Sequence, residues 1–501
     1  MQRLTLPWPL PGREGDRTAL TAGDLTWVLR CRTLVEFQIQ RPVRTASFLA
    51  KCAHRQPAKA FPLTEPNAPD APADSKSKRN LIVAVIASTV GTTIEWYDFF
   101  LYGAAAAIVF PAIFFPEADP FVGRLMSFGT FTIGFLSRPL GGIIFGHIGD
   151  RHGRKSALVA TLLLMGISTL LIGLLPGYKE IGVAAPAILI LLRILQGIGV
   201  GGEWGGAILL ALEYSHRSRR GYYASWPQAG VPLGLLLSTG ALAICRQSMA
   251  EDAFLSWGWR LPFLLSVVLI FIGLMIRSVV AEPPAFTQAK ASGATSRLPL
   301  ADVLIHHWPE VLLAAGARIS ENSVFYLFAT YVLAYGKDVL HVNETIPLVA
   351  VNVAAAVQFF SIPLFGMLSD VISRKRMYLL GNLMLILFAV PYFMLLETRS
   401  PLAIVAAMVI VLAIIHASLY SVQASLIPEL FSTRIRYTGA SLSYQIAGPV
   451  AGGLAPLIAT TLAFKFPGQY WPIAVYIILI SILSSVCVLM VRETAGKELT
   501  H

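Results

Sequence analysis

Two acidic residues lie close together in a long apolar segment, where a charge is costly. Glu95, Asp98 and Tyr102 are spaced i, i+3 and i+7, so a helix places their side chains on one face. The segment is about 20 residues long, the length that crosses the hydrocarbon core of a bilayer. Carboxylates at that depth must face a cavity or pair with a cation. We interpret Glu95 and Asp98 as candidate proton-binding groups; the alternative is an ion pair that only holds helices together.

Further charged residues lie in three other apolar segments. An arginine keeps its charge, so at membrane depth it needs a counter-ion or an anionic ligand. Four acids face three arginines, and the acid left over would tend to bind a proton in a low dielectric. This indicates a proton-coupled carrier, although structural ion pairs explain each arginine equally well. The residues counted are Glu95, Asp98, Glu203 and Glu321 against Arg138, Arg193 and Arg318, and Gln196, Asn322 and Tyr326 share helix faces with them.

One turn motif occurs twice, 220 positions apart. Residues 146–155 and 366–375 both read Gly-x-x-x-Asp-x-x-x-Arg-Lys, so that Asp150 and Arg154 are in register with Asp370 and Arg374. Each copy lies between two apolar segments. A duplicated turn in a long apolar chain predicts two homologous membrane halves, which is how secondary transporters are built.

A second trace of the duplication follows the fourth and tenth apolar segments. Glu213 and Glu429 each end a segment, and each is followed by basic residues and then a glycine. We predict that these turns form charge networks with the duplicated motif and hold one conformation closed. Membrane topology and helix termination are the alternative explanation. The predicted latch residues are Asp150, Arg151, Arg154, Glu213, Asp370, Arg374 and Glu429.

Composition supports an all-helical integral membrane protein. The chain of 501 residues is 55% hydrophobic and only 13% charged, and its mean hydropathy is +0.66. About twelve apolar segments are long enough to span a bilayer. A polar stretch divides them six and six, which predicts four regions: a basic, Pro-rich and disordered cytoplasmic tail at 1–79, a six-helix half at 80–281, a cytoplasmic loop at 282–304, and a second six-helix half with a short cytoplasmic tail at 305–501.

The net charge of +11 has an uneven distribution along the chain. With both termini cytoplasmic, the inner connections carry fourteen lysines and arginines, among them Arg277, against seven in the outer ones. Cytoplasmic loops of membrane proteins carry such an excess. We therefore predict a multi-pass protein of the plasma (inner) membrane with both termini inside, and no nucleic-acid partner.

Several motifs that would indicate other chemistry are absent or misplaced. Gly197, Gly199 and Gly202 match a dinucleotide fingerprint but lie inside an apolar helix, where close helix packing is the better interpretation. No phosphate-binding loop is present, so we expect no ATP as an energy source. The four cysteines lack metal-ligand spacing. We predict no cofactor, no metal and no enzymatic activity, and we expect a monomer. The tail at 1–79 is assigned no function and could reflect an upstream start or, less simply, a transit-like segment.

These motifs resemble those of the major facilitator superfamily. Residues 146–155 are similar to its signature loop, and Arg193-x-x-Gln196-Gly197-x-Gly199 is similar to its fourth-span motif. Glu95-Trp96-Tyr97-Asp98 and Gly201-Gly202-Glu203-Trp204 resemble the metabolite:proton symporter family, whose members carry shikimate, α-ketoglutarate, citrate or proline and betaine. The resemblance covers the chain from about residue 78 to residue 493. Val371 and Ser373 depart from the first copy of the loop.

The resemblance implies twelve helices around a central cavity, with Asp98 and Glu95 as proton-coupling residues. It also implies that arginines balance or bind a carboxylate. Glu203 and Glu321 complete the proton-coupling candidates. Our candidate substrate-binding residues are Arg138, Arg193, Arg318, Asn322, Tyr97, Tyr102, Gln196 and Tyr326.

The predicted function is proton-driven import of a small polar metabolite, and an organic acid fits the arginines best. Transport would proceed by alternating access, in which the two halves rock around the cavity. Two alternatives stay open. One is an exporter of a drug or metabolite in the same fold, and the other is a transport-dead membrane sensor whose basic tail binds a cytoplasmic partner.

Overall fold

The computed structural model describes residues 75–118, 120–279, 299–343 and 345–497. All regular secondary structure within these residues is helical. Most of the predicted tail and most of the predicted central loop lie outside the described residues. At the edges of those two regions, a helix begins at Ser75 and a short helix covers Pro299–His306.

The first half contains six long helical spans in the described residues. Spans 1 to 6 are Ser75–Ile108, Pro120–His152, Arg154–Leu174, Ala184–Tyr214, Arg220–Gln247 and Glu251–Ser278.

The second half repeats this arrangement. Span 7 begins as Trp308–Tyr326 and continues through Leu327–Tyr331 and Val332–Asp338. Spans 8 to 12 are Thr345–Ile372, Arg374–Glu397, Pro401–Leu430, Arg436–Lys465 and Trp471–Met490. Every span predicted from hydropathy coincides with one of these twelve helices, so the predicted fold class is confirmed. Length and apolarity alone qualify nine helices of the described residues as membrane spans. The other three, spans 1, 2 and 7, hold five of the seven acids and arginines singled out above, and span 4 holds Arg193 and Glu203.

Spans pack together within each half, and two pairs of spans make the most extensive contacts between the halves. Span 1 packs on span 5 and span 2 on span 4, while span 7 packs on span 12 and span 8 on span 10. Between the halves, span 5 packs against span 8 and span 2 against span 11. These two pairs are equivalent when the halves are exchanged, so the duplication seen in the sequence is also present in the packing.

Glycines allow spans 2 and 4 to pack with their backbones in contact. A Cβ atom on Gly201 would collide with the carbonyl oxygen of Arg138, and one on Gly141 would collide with that of Ile198. Gly197 approaches span 2 in the same way. The prediction that the glycine run of span 4 serves close helix packing is confirmed.

The two copies of the turn motif share an unusual backbone conformation. Gly153 has φ 121°, and Ser373 at the equivalent position has φ 107°. A residue with a side chain is strained there. The Ser373 hydroxyl donates to Glu493 at 2.5 Å and accepts from the backbone amide of Arg376, and these bonds help to hold the strained turn. The departure of the second copy from glycine therefore leaves its fold intact.

Candidate functional site

An acidic pocket lies between spans 1, 3 and 4 of the first half. Glu95, Asp98 and Glu203 line it together with Thr161. One oxygen of Asp98 accepts a hydrogen bond from Ser266 of span 6 at 2.8 Å, and its other oxygen has no partner among the described residues. Glu95 is buried as well and makes no hydrogen bond or ion pair within the described residues. The face predicted for span 1 therefore carries two carboxylates that no cation neutralises by direct contact.

Glu203 differs from its two neighbours because it is fully partnered. It forms an ion pair with Arg277 of span 6 and accepts a hydrogen bond from Thr161 at 2.7 Å. Arg277 also donates to the carbonyl of Leu158.

The assignment of Arg277 to a cytoplasmic connection was wrong. Its side chain is buried within the helix that ends span 6. The count that left one surplus acid was therefore wrong too, since four arginines now match four acids. What distinguishes Glu95 and Asp98 is their geometry rather than the total charge. Arg277 directly follows an apolar run, and this sequence pattern does not indicate how deep in the protein its side chain lies.

Arg138 of span 2 lies in an aromatic cage near the centre of the molecule. Its guanidinium carbon is 4.3 Å from the ring centre of Phe135, 4.4 Å from that of Phe99 and 5.6 Å from that of Trp96. Such contacts stabilise a cation without using its N–H donors. Two of its three nitrogens have no hydrogen-bond partner among the described residues. Tyr326 of span 7 packs on Phe135 with ring centres 5.3 Å apart, so the cage reaches the second half.

The other polar residues of the first half are tied to one another. Arg193 stacks on Tyr102 at 4.0 Å and donates to Gln196 at 3.1 Å. Gln196 donates to Thr169 of span 3 at 2.7 Å. Tyr97 points into the first half, where its hydroxyl donates to the carbonyl of Pro262 at 2.9 Å. The guanidinium carbon of Arg193 also lies 5.0 Å from the ring centre of Phe99, which places this group beside the cage, whereas Tyr97 points away from the second half.

The second half holds a polar cluster around Glu321. Arg318 lies 3.6 Å from Glu321 and donates to the carbonyl of Tyr444 at 2.9 Å. Glu321 also binds His416 of span 10 at 2.9 Å and Gln423 at 3.0 Å. Sequence analysis missed His416, although it is a single histidine in the apolar run of span 10 and shares a helix face with Gln423.

Asn322 and Tyr326 point from span 7 toward span 11. A Cβ atom on Gly452 of span 11 would touch both side chains. The amide nitrogen of Asn322 has no hydrogen-bond partner in the described part of the chain, although the residue is buried. Two predicted substrate residues therefore lie side by side, and one of them has an unused donor.

A stack of side chains connects the two halves at their centre. The rings of Trp204 and Tyr444 are parallel, with centres 3.7 Å apart. Arg318 lies 3.3 Å from the centre of the same tyrosine ring, and at these distances it must occupy the opposite face. Trp204 donates to Gln228 at 2.9 Å, and Gln228 donates to the carbonyl of Tyr420 at 3.1 Å. The charge of Arg318 is thus linked to residues of both halves.

The duplicated motif joins the halves at one end of the bundle. Asp150 accepts hydrogen bonds from the backbone amides of Tyr437 and Thr438 at 3.1 and 2.8 Å, at the beginning of span 11. Asp370 accepts equivalent bonds from Gly221 and Tyr222 at 2.8 and 2.9 Å, at the beginning of span 5. Each carboxylate therefore caps a helix of the opposite half, where free amides and the helix dipole favour a negative charge.

Arginines connect each aspartate to a glutamate of the predicted latch. Arg154 binds Asp150 at 2.6 Å and Glu213 at 3.3 Å. Arg374 binds Asp370 at 2.7 Å and Glu429 at 3.6 Å.

Of two further arginines nearby, one belongs to this network and the other does not. Arg436 of span 11 also reaches Glu213, at 3.3 Å, and so crosses between the halves. Arg151 is exposed and makes no hydrogen bond or ion pair to a described residue. The structure therefore brings together six of the seven predicted latch residues and leaves Arg151 outside.

The last described residues of the chain form a strap over the network of Asp370, Arg374 and Glu429. Thr494 donates to Glu429 at 2.5 Å, and Arg220 of span 5 donates to the carbonyl of Lys497 at 2.6 Å. Burial raises the pKa of Glu493, but hydrogen bonds from Ser373 and from backbone amides outweigh it and hold that pKa below its usual range. Glu493 is therefore ionised at neutral pH and keeps the strap in place.

Comparisons with known proteins agree with this architecture. The family model for the Major Facilitator Superfamily matches residues 99–442. The Shikimate transporter of Escherichia coli K12 is 38% identical over 413 residues, which cover 82% of this chain and 94% of the relative. The Glycine betaine/proline/ectoine/pipecolic acid transporter OusA of Dickeya dadantii is 36% identical over 428 residues, covering 83% and 84% of the two chains.

A solved structure shows the same fold. The proton:xylose symporter XylE, in a complex with 6-bromo-6-deoxy-D-glucose, superposes with a TM-score of 0.69 at 17% sequence identity, and the match covers 84% of this chain and 98% of that one.

The pair between Arg277 and Glu203 provides a test of the charge assignment. We expect Arg277→Leu to lower stability by about 3–5 kcal/mol, because Glu203 would be left buried without a counter-ion. The double variant Arg277→Leu, Glu203→Gln carries no such charge and should recover most of the loss. The measurement is the apparent melting temperature of the purified protein in detergent.

Arg246→Leu is the matched control, since Arg246 is exposed at the end of span 5. It should leave the melting temperature unchanged. A double variant as unstable as Arg277→Leu alone would show that the ion pair does not explain the effect.

Proposed function

The chain belongs to the major facilitator superfamily, and we propose that it imports a small organic acid together with protons across the plasma membrane. The superfamily assignment makes it a multi-pass membrane transporter and not an enzyme. The proposed orientation has both termini in the cytoplasm, as the distribution of basic residues favours. Import proceeds by alternating access of the cavity between the two halves.

The strongest support for this proposal is that some of the buried charged residues have ion-pair partners and others do not. Glu203 and Glu321 each have an arginine partner. Asp98 keeps one oxygen without a partner in the described residues, and Arg138 keeps two unused nitrogens. A carrier that takes up a proton and a carboxylate together needs one free acid and one free cation, and these two residues supply them.

Arg138 is the proposed centre of carboxylate binding. Its planar guanidinium can bind both oxygens of a carboxylate, and a desolvated site strengthens that bond. Asn322 and Tyr326 add donors from the second half, and Arg318 adds a second positive charge. The aromatic cage of Arg138 is supported from within the first half. The supporting residues are Arg193, Gln196, Tyr102 and Tyr97.

The acidic pocket is the proposed site of proton coupling. Three carboxylates line it, and Arg277 is the one cation in the described residues that forms an ion pair with any of them. Protonation of Asp98 or Glu95 removes a negative charge from this pocket and allows the loaded carrier to reorient. Glu203 takes part as the paired neighbour, because its negative charge repels a negative charge on Glu95 or Asp98.

The latch at the end of the bundle is proposed to control access from the cytoplasm. In the structure its contacts join the two halves of the chain at that end of the bundle. Opening it breaks the bonds from Asp150 and Asp370 to span 11 and span 5. Water then donates hydrogen bonds to the two carboxylates in place of the backbone amides. The free energies of the closed and the open latch therefore differ little, and opening is reversible.

Proton symport can be measured directly in proteoliposomes that carry the purified chain and a pH dye inside. Shikimate, α-ketoglutarate, citrate, benzoate, proline and betaine are added one at a time. We expect internal acidification with an organic acid. Acidification with none of them, from correctly folded protein, would contradict proton symport of this class of substrate.

Asp98→Asn should separate proton coupling from substrate movement. We expect this variant to lose acidification and pH-driven accumulation while it retains exchange of labelled substrate, because an amide of the same shape cannot carry the proton. Asp252→Asn is the control, since Asp252 is exposed. Full pH-driven uptake in the double variant Asp98→Asn, Glu95→Gln would refute the assignment.

Arg138→Lys should weaken substrate binding without unfolding the protein. Lysine keeps the charge but cannot bind a carboxylate with two parallel bonds, so we expect KM to rise by about tenfold or more. Arg138→Gln should abolish saturable uptake. Arg246→Lys serves as the control, and melting temperatures are measured alongside. An unchanged KM in Arg138→Lys would place the carboxylate elsewhere.

Loss of one latch aspartate should open the closed end. Asp150→Asn removes a charge from the beginning of span 11, and we expect a several-fold faster alkylation of a single cysteine introduced as Ser441→Cys in a chain otherwise free of cysteine. Ser441 is buried one turn beyond that contact. Asp302→Asn, which breaks a partly exposed ion pair with Arg434, is the control. Equal rates in both variants would argue against a latch.

A further inference from the structure

His416 is a buried titratable residue that the proposed mechanism does not yet use. It lies in span 10, beside the rings of Phe325 and Tyr420, whose centres are 5.2 and 5.3 Å from the centre of its own ring. Both of its ring nitrogens have partners. Nε2 lies 2.9 Å from Oε1 of Glu321, and Nδ1 lies 2.7 Å from the amide nitrogen of Gln358 on span 8.

The orientation of the Gln358 amide is determined by its second contact. The same amide nitrogen donates to the carbonyl oxygen of Leu412 at 2.9 Å. A flipped amide would place its own oxygen against that carbonyl, which is also only an acceptor. Gln358 therefore presents one N–H to Leu412 and the other to His416.

This contact determines the proton on His416. An N–H of Gln358 points at Nδ1, so Nδ1 must accept and cannot carry a hydrogen. The hydrogen is then on Nε2, which donates to Glu321. His416 is neutral in this conformation, and it cannot gain a second proton while Gln358 stays in place, because two donors would face each other.

The hydrogen-bond partners of Glu321 in the described residues are donors, so both of its oxygens act as acceptors. His416 and Gln423 donate to its two oxygens, and Arg318 supplies the balancing charge at 3.6 Å. Gln423 cannot reverse its role, because its amide nitrogen also donates to the hydroxyl of Tyr378, whose own hydrogen goes to the carbonyl of Ala317. The cluster as a whole is electrically neutral.

The surroundings of His416 contain few other charges. Among the described residues, span 8 contributes Gln358, which does not titrate. The titratable or charged groups of the cluster and its neighbours are Arg318, Glu321 and Tyr326 on span 7, Tyr378 on span 9, Tyr420 on span 10 and Tyr444 on span 11.

We propose that His416 is a gated proton-binding site that releases Arg318 to the substrate. When Gln358 withdraws from span 10, a proton from water bonds to Nδ1, and the imidazolium then neutralises Glu321 in place of Arg318. Arg318 becomes available to the carboxylate of the substrate. One proton and one carboxylate enter together, so the cluster is neutral before and after loading. Pro363 lies 5 positions beyond Gln358 inside span 8, where a missing backbone bond makes a helix easier to bend.

The coupling to transport rests on the proposed symport, but the proton on His416 can be tested without any substrate. The full chain is labelled with 15N-histidine and placed in lipid nanodiscs, and nitrogen spectra are recorded at about pH 7.5 and about pH 6. The His416→Gln difference spectrum identifies the signals among the nine histidines. We expect one protonated and one bare nitrogen at both pH values. A second protonated nitrogen in the wild type would refute the gate.

Gln358→Leu and Gln358→Glu should both open the gate. Leucine removes the opposing donor, so we expect His416 to become doubly protonated at about pH 6. Glutamate supplies an acceptor to Nδ1, so we expect double protonation at both pH values. Spectra of either variant that match the wild type would overturn the assignment of Gln358 as the gate.

His416→Gln tests the link to transport, because its amide can still donate to Glu321 but cannot titrate. The substrate is the organic acid that acidifies the proteoliposomes. In the wild type, we expect KM to fall as the pH falls. In His416→Gln, we expect the slope of this dependence to be smaller by about one power of ten per pH unit. His416→Asn, whose side chain is too short to keep the bond, should lower the melting temperature as well. An unchanged KM profile in His416→Gln would refute the coupling. If no acid causes acidification, proton symport fails and the spectra still decide the state of His416.

Discussion

The rest of the structure depends on the high cost of an uncompensated charge inside a membrane. An ion pair there costs little to keep but much to break, so each buried charge constrains where its partner can lie. Arg277 with Glu203 ties span 6 to span 4, and Arg318 with Glu321 organises span 7. Asp98, beside these, keeps an oxygen without a partner in the described residues. The fold is thus arranged so that only a few charges depend on what enters the cavity.

The latch uses the same physics at the edge of the membrane. Each motif aspartate binds the amides at the beginning of a helix in the other half, and the two contacts are related by exchange of the halves. Because both partners of each bond can be solvated when the halves separate, the cost of opening is small. The contacts between the halves that must break in every cycle therefore lie at the end of the bundle, while the persistent pair of Arg277 and Glu203 is buried within the first half.

Periodicity and the duplicated motif were sufficient to predict the twelve spans and the two halves, because both depend on patterns along the chain. They also placed Asp150 and Asp370 correctly as equivalent positions. The pairing of charges could not be predicted, since it depends on depth and on helix rotation. Arg277 follows an apolar run as a flanking cytoplasmic residue would, and only the packing of span 6 shows that it is buried. The partners of His416 could not be predicted from the sequence, because Glu321 and Gln358 lie on other spans.

Neutrality links the two sites of the molecule. In the first half, a proton removes a surplus negative charge from the acidic pocket. In the second half, a proton on His416 compensates the negative charge that a carboxylate brings to Arg318. In the second half, a proton without a carboxylate, or a carboxylate without a proton, would leave a net charge in a low dielectric, whereas the two together leave none. This arrangement of the second half favours the fully loaded and the fully empty carrier over either half-loaded state, and that preference is the physical condition for coupling transport to a proton gradient.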